Sequence, residues 1–231
     1  MSKRFASVVV AASGLVALMG GTAQAQTAQG APDAAAKSCD GVKLSGTLPA
    51  PPAGMAVTQQ VTIGEDCKPV LGPVQYVPAS GAAAKKAAAG AKSVAAAAGT
   101  TRQIRSWNEM FDCCKIRMTG LYTTSTVNTA DGRITSASTE ARQEFNREPW
   151  DAGWSVKSAD HKDDCLTDCS VVNSEAHAEF AYKGIFDVTG KWYANTHHSY
   201  VKLNPDATAT CTFDVDLRHT FIGWNWQRGC E

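Results

Sequence analysis

Between residues 175 and 217 the chain repeatedly alternates apolar and polar side chains with a period of two, and this alternation constrains the fold more than any other feature. Ala176, Ala178, Phe180 and Tyr182 share one parity, while Glu175, His177, Glu179 and Lys183 share the other. Farther on, Cys211, Phe213, Val215 and Leu217 face one way; Thr208, Thr210, Thr212, Asp214 and Asp216 face the other. A helix would need a repeat near 3.6, so each run reads as a strand with one buried and one wet face. Turn chemistry falls between such runs. Asp131-Gly132 separates 115–129 from 133–145 and suits a two-residue hairpin turn, because both positions tolerate positive φ. Val188-Thr189-Gly190-Lys191 and Asn204-Pro205-Asp206 supply further turns. Seven or eight strands are expected in 101–231, with a short helix admitted only around Glu140–Glu148. The expected fold is all-β: a disulfide-stapled antiparallel β-sandwich, immunoglobulin-like or jelly-roll-like.

Eight cysteines sit behind an N-terminus that reads as an export signal. Lys3 and Arg4 precede a mainly apolar stretch from Phe5 to Met19, and Ala23-Gln24-Ala25 is a small-x-small cleavage pattern. Residues 1–25 are therefore expected to be a signal peptide, and the mature protein secreted and extracellular. In that setting an even cysteine count reads as disulfides. Cys165 and Cys169 have a spacing compatible with zinc, but adjacent Cys113 and Cys114 suit one ion poorly, so no metal and no cofactor is expected. If Cys113 and Cys114 lie on a strand, they point to opposite faces and need different partners, which pairs them crosswise with Cys165 and Cys169; a bond between the two themselves is the strained alternative. That leaves Cys39 with Cys67 and Cys211 with Cys230. Each bridge is expected to contribute about 2–4 kcal/mol by restricting the unfolded chain.

Composition divides the mature chain. Residues 26–54 carry few large apolar groups and include Pro49, Pro51 and Pro52, so they read as mostly loop. Val57, Val61 and Ile63 mark a small β segment within 55–77. Residues 78–100 are rich in alanine, with Lys85, Lys86 and Lys92, and read as a semi-rigid linker. The sandwich domain is 101–231. No second apolar stretch is long enough for a transmembrane segment. With 22 Lys+Arg against 22 Asp+Glu, the chain lacks the basic footprint of a nucleic-acid binder.

The motifs of serine nucleophiles, zinc proteases and phosphate-binding loops are absent. His177, between Glu175 and Glu179, could act as a tuned base or a weak metal ligand, but such outward polar rows are common on sheets. His197 and His198 are adjacent, so their rings diverge on a strand. Asp214 and Asp216 have the roughly 7 Å spacing of any i, i+2 pair, which falls within the about 6.5–9.5 Å of inverting glycosidases. The acidic run Asp160-His161-Lys162-Asp163-Asp164 with Asp168 offers oxygens to calcium but lacks the glycine of the helix-loop-helix calcium pattern. Trp224 and Trp226 share a parity, and Trp150 and Trp154 bracket a Pro/Gly-containing loop. These four rings either pack in the core or form an exposed ligand-binding platform, and the nearby Cys211–Cys230 bridge leads us to expect burial of at least one of Trp224 and Trp226. The expected function is a secreted, non-catalytic binding protein for a polysaccharide or an extracellular protein surface. The alternatives are a small extracellular hydrolase using the outward carboxylates or the His177 row, and a structural envelope-associated protein.

Overall fold

Asp131 and Gly132 adopt φ of 52° and 73° and join two long antiparallel strands, as their turn chemistry requires. The computed structural model describes residues 37–52, 54–79, 99–146 and 153–231. The expected signal peptide, most of the expected linker and Trp150 lie outside the described residues. The strands are β1 (Ser38–Leu48), β2 (Met55–Ile63), β3 (Pro69–Leu71), β4 (Gln75–Pro78), β5 (Thr100–Phe111), β6 (Arg117–Ala130) and β7 (Arg133–Phe145). They continue with β8 (Trp154–Asp163), β9 (Thr167–Cys169), β10 (Val172–Tyr182), β11 (Ala194–Leu203), β12 (Ala209–Phe221) and β13 (Asn225–Cys230). One sheet has the order β1-β12-β11-β10-β8 and the other β3-β2-β13-β5-β6-β7-β9, with β4 also pairing to β2. Every pairing is antiparallel. No described helix is long and apolar enough to cross a membrane.

The inner faces follow the alternation of the sequence. Ala176, Ala178, Phe180 and Tyr182 are buried on β10; Cys211, Phe213, Val215 and Leu217 are buried on β12. The chain ends bind the two sheets together. β1 and β12 lie in the five-stranded sheet, while β2 and β13 lie side by side in the other. The expected Cys211–Cys230 and Cys39–Cys67 bridges form, and the first links β12 to β13 across the core.

Four expectations need correction. Residues 38–48 are a strand, not loop: Val42, Leu44 and Leu48 keep an inward parity that the intervening Gly46 and small polar residues conceal. The segment through Phe145 is a strand rather than a helix, because β6 supplies its hydrogen-bonding partner. The strand count exceeds eight. The crosswise cysteine pairing does not occur. Cys165, between β8 and β9, bonds to Cys169 at the end of β9, and Cys113 and Cys114 are unbridged. The latter two occupy the turn between β5 and β6 rather than a strand, so opposite-face geometry does not govern them.

Polar side chains join the sheets in the interior. Asn108, fully buried on β5, accepts hydrogen bonds at Oδ1 from Trp226 Nε1 (2.7 Å) and His197 Nδ1 (3.1 Å). Its Nδ2 donates to the His198 carbonyl at 3.0 Å. His197 Nε2 then accepts from the Thr119 hydroxyl at 2.9 Å, and that oxygen accepts from Asn195 Nδ2 at 3.0 Å. These roles fix His197 as the neutral Nδ1–H tautomer. Burial pushes its pKa down to about 3.

Two outcomes follow for stability. Asn108→Ala strands the indole and imidazole N–H groups and should cost about 2–5 kcal/mol in urea unfolding. His197 has a lower pKa folded than unfolded, so its contribution is intact above pH 6.5 and is lost as pH falls toward 3. The full loss is on the order of 5 kcal/mol. Urea midpoints measured from pH 7 to 4 should fall, and less steeply in His197→Gln.

Candidate functional site

Strand β5 buries Ile104, Ser106, Asn108 and Met110 and turns Arg105, Trp107 and Glu109 outward. Trp107 is directly opposite Gly229 on β13 and Tyr122 on β6. The six-membered ring of its indole lies over Gly229. A Cβ at position 229 would fall 1.9 Å from Trp107 Cζ2, so only glycine lets the ring rest on the sheet. Tyr122 lies over Gly120 in a similar way, where a Cβ would be 3.0 Å from the ring. Two aromatic rings thus lie low on the outer face of the eight-stranded sheet.

Trp107 borders two cavities on that face. Toward β2, a cavity of 460 Å³ is lined by Thr58, Gln60, Thr62, Gln75 and Gln227, with Gly72 and Pro73 in its wall. Gln60 Nε2 and Thr62 Oγ1 both donate to Asn225 Oδ1, at 2.6 and 2.8 Å. Toward β7, a cavity of 730 Å³ is lined by Arg105, Glu109, Tyr122, Thr124, Glu140 and Arg142. Here Arg117 Nη1 donates to the Tyr122 oxygen at 2.6 Å, and the Tyr122 hydroxyl donates to Glu109. The Arg142 guanidinium lies 4.8 Å from the Tyr122 ring centroid. Burial, and then the Glu109 carboxylate, raise the Tyr122 pKa and keep the phenol protonated.

The tryptophans singled out in the sequence lie elsewhere. Trp226 is 0% exposed, Trp154 4% and Trp224 7%, so none of these three offers an open stacking face. Trp226 belongs to the Asn108 network. Trp154 and Trp224 wall a 340 Å³ aromatic cavity with Tyr182, Tyr193 and Phe221. Beside it, Ile185, Phe186, Val188 and Trp192 are exposed on the β10–β11 loop. Asp187 ties that loop together by accepting from Thr189 Oγ1 at 2.6 Å and from the Trp192 and Tyr193 amides. These bonds, led by the Thr189 hydroxyl, hold its pKa at about 2.

The polar candidates spread over the other sheet. Asp160, His177, His198 and Asp214 align across β8, β10, β11 and β12. The two imidazole centroids are 4.6 Å apart, and Asp160 is 3.7 Å from His177. Asp216 pairs with Lys43 at 3.7 Å. The acidic run is occupied internally: Asp163 accepts from the Thr139 amide, Asp164 from Asn173, and Asp168 binds Arg133. Among the described residues no three His, Cys, Asp or Glu side chains gather as a metal site.

Sequence reading passed over Trp107. Its signal was the outward parity of Arg105, Trp107 and Glu109, but the glycine beneath the ring is 122 positions away, on a strand whose register the sequence does not reveal. No protein-family model, curated protein or solved structure matches this chain.

Removing the Asp187 carboxylate should free the loop it organises. Asp187→Ala is expected to admit trypsin at Lys183 and Lys191 during brief digestion that leaves the wild-type loop intact, with both sheets retained by circular dichroism.

Proposed function

We propose that this chain is a secreted, non-catalytic binding protein whose ligand is a polysaccharide lying across Trp107 on the outer face of the eight-stranded sheet. The observation that carries this reading is the half-buried Trp107 indole seated over Gly229 and bordered on both sides by cavities lined with hydrogen-bonding side chains. The C–H face of a pyranose ring stacks on an aromatic face. Its hydroxyls need planar donors and acceptors nearby, which Gln60, Gln75 and Gln227 supply on one side and Glu109, Glu140 and Arg142 on the other. Open cavities flanking one ring accommodate successive sugars of a chain. The expected export signal in residues 1–25 and the three disulfides are compatible with a ligand outside the cell.

Affinity electrophoresis through gels containing soluble glucan, xylan, mannan or glycol chitin tests the proposal. Wild type should be retarded by at least one of these polymers. Trp107→Ala should lose the retardation while its folding stability shifts by no more than about 2 kcal/mol, and Trp107→Phe should keep part of it. Retardation unaffected by Trp107→Ala, or none in any gel, would overturn the reading.

A further inference from the structure

Two of the eight cysteines have no role in the bridges that bind the fold. Cys113 and Cys114 are both exposed, and their Sγ atoms are 3.5 Å apart. The turn carrying them is held by its own bonds. Asp112 Oδ1 accepts from the Cys114 and Ile116 amides, both at 2.8 Å, and the Asp112 amide donates to the Ile116 carbonyl at 3.0 Å. The other six cysteines are bonded in pairs, so each of these sulfurs has the other as its near partner within the chain. Cys113 also forms part of the wall of the aromatic cavity, beside Met118, Trp154 and Trp224.

We propose that Cys113 and Cys114 are a thiol–disulfide couple that closes into a vicinal disulfide at the rim of the aromatic cavity, by exchange with a low-molecular-weight disulfide. In the first step one cysteine sulfur, as thiolate, attacks the small disulfide. It forms a mixed disulfide and expels one small thiolate. In the second step the neighbouring cysteine sulfur attacks the first, forming the bond between Cys113 and Cys114 and expelling the second small thiolate. Two electrons pass from the cysteine sulfurs to the small disulfide, and the two cysteine protons end on the two small thiols. Proximity favours the second step over capture by another chain, since the attacking sulfur is already 3.5 Å away. The closed ring places a polarisable disulfide against the aromatic wall, a contact that sulfur and aromatic faces favour. The couple is chemically separate from the glycan-binding face, so its test stands whether or not a polysaccharide binds.

Peptide mapping of the full chain decides the matter. Trypsin cleavage after Arg105 and Lys115 releases one peptide, 106–115, that carries both sulfurs. The native protein is treated with a limiting thiol reductant, then with glutathione disulfide, and alkylated at each stage. After reduction the peptide should carry two alkyl groups. After glutathione disulfide it should carry none, be two hydrogens lighter than the dithiol, and come from a chain that stays monomeric on a non-reducing gel. Cys113→Ser should instead trap glutathione on Cys114, because the resolving sulfur is gone. The double variant Cys113→Ser/Cys114→Ser should unfold at the same urea concentration as wild type, which separates a redox role from a structural one. Thiols that remain alkylatable, glutathione that persists on the wild-type peptide, or a chain-to-chain disulfide would each overturn the proposal.

Discussion

The fold depends on one buried amide. Asn108 satisfies the Trp226 indole, the His197 imidazole and a backbone carbonyl of the opposite sheet at once, using both ends of its side chain. A sandwich held by hydrophobic contact alone could tolerate small slips of one sheet over the other, because that attraction has no direction. Directed bonds between β5 and β11 remove this freedom. A further link, Thr139 on β7 to Ser174 on β10 at 2.8 Å, repeats the device closer to the sheet edge. Each buried group would be costly if left unpaired, so the network favours a single register of sheet on sheet.

That register positions the outer face. With Ser106, Asn108 and Met110 committed inward, Trp107 must face out, and β13 must present Gly229 beneath it because Trp226, Arg228 and Cys230 are also committed inward. Arg228 itself is accommodated because Gly46 on β1 leaves room: a Cβ there would lie 1.8 Å from the guanidinium. The Cys211–Cys230 bridge anchors the end of the same strand. Core chemistry and the Trp107 face are thus two sides of one strand pair, β5 and β13.

Much of this was legible in the sequence, and the failures have physical causes. Alternation in β10 and β12 was readable because, from Ala176 to Phe180 and from Cys211 to Leu217, apolar residues hold one parity without a break while charged, polar or hydroxyl residues hold the other. β1 was not, since Gly46 and the small polar residues around it dilute the signal of Val42, Leu44 and Leu48. The Cys39–Cys67 and Cys211–Cys230 bridges followed from position along the chain, whereas the crosswise pairing assumed that Cys113 and Cys114 lie on a strand. Turn residues do not obey strand parity. Parity alone gave Trp224 and Trp226 a shared face without saying which face is inward; the nearby Cys211–Cys230 bridge pointed to burial of at least one ring, and both are buried. The outer aromatic face itself depends on Trp107 meeting Gly229, a long-range register that only the fold creates.

The most direct test of the account is nuclear magnetic resonance titration of the isotopically labelled protein with a soluble oligosaccharide taken from a polymer that retards it. The account predicts that the Trp107 indole N–H signal and the Gln60 and Gln227 side-chain amides move together and saturate, while the Trp226 indole held by Asn108 stays still. Shifts centred on the Trp154–Trp224 cavity or on the His177 face, with Trp107 unmoved, would contradict it.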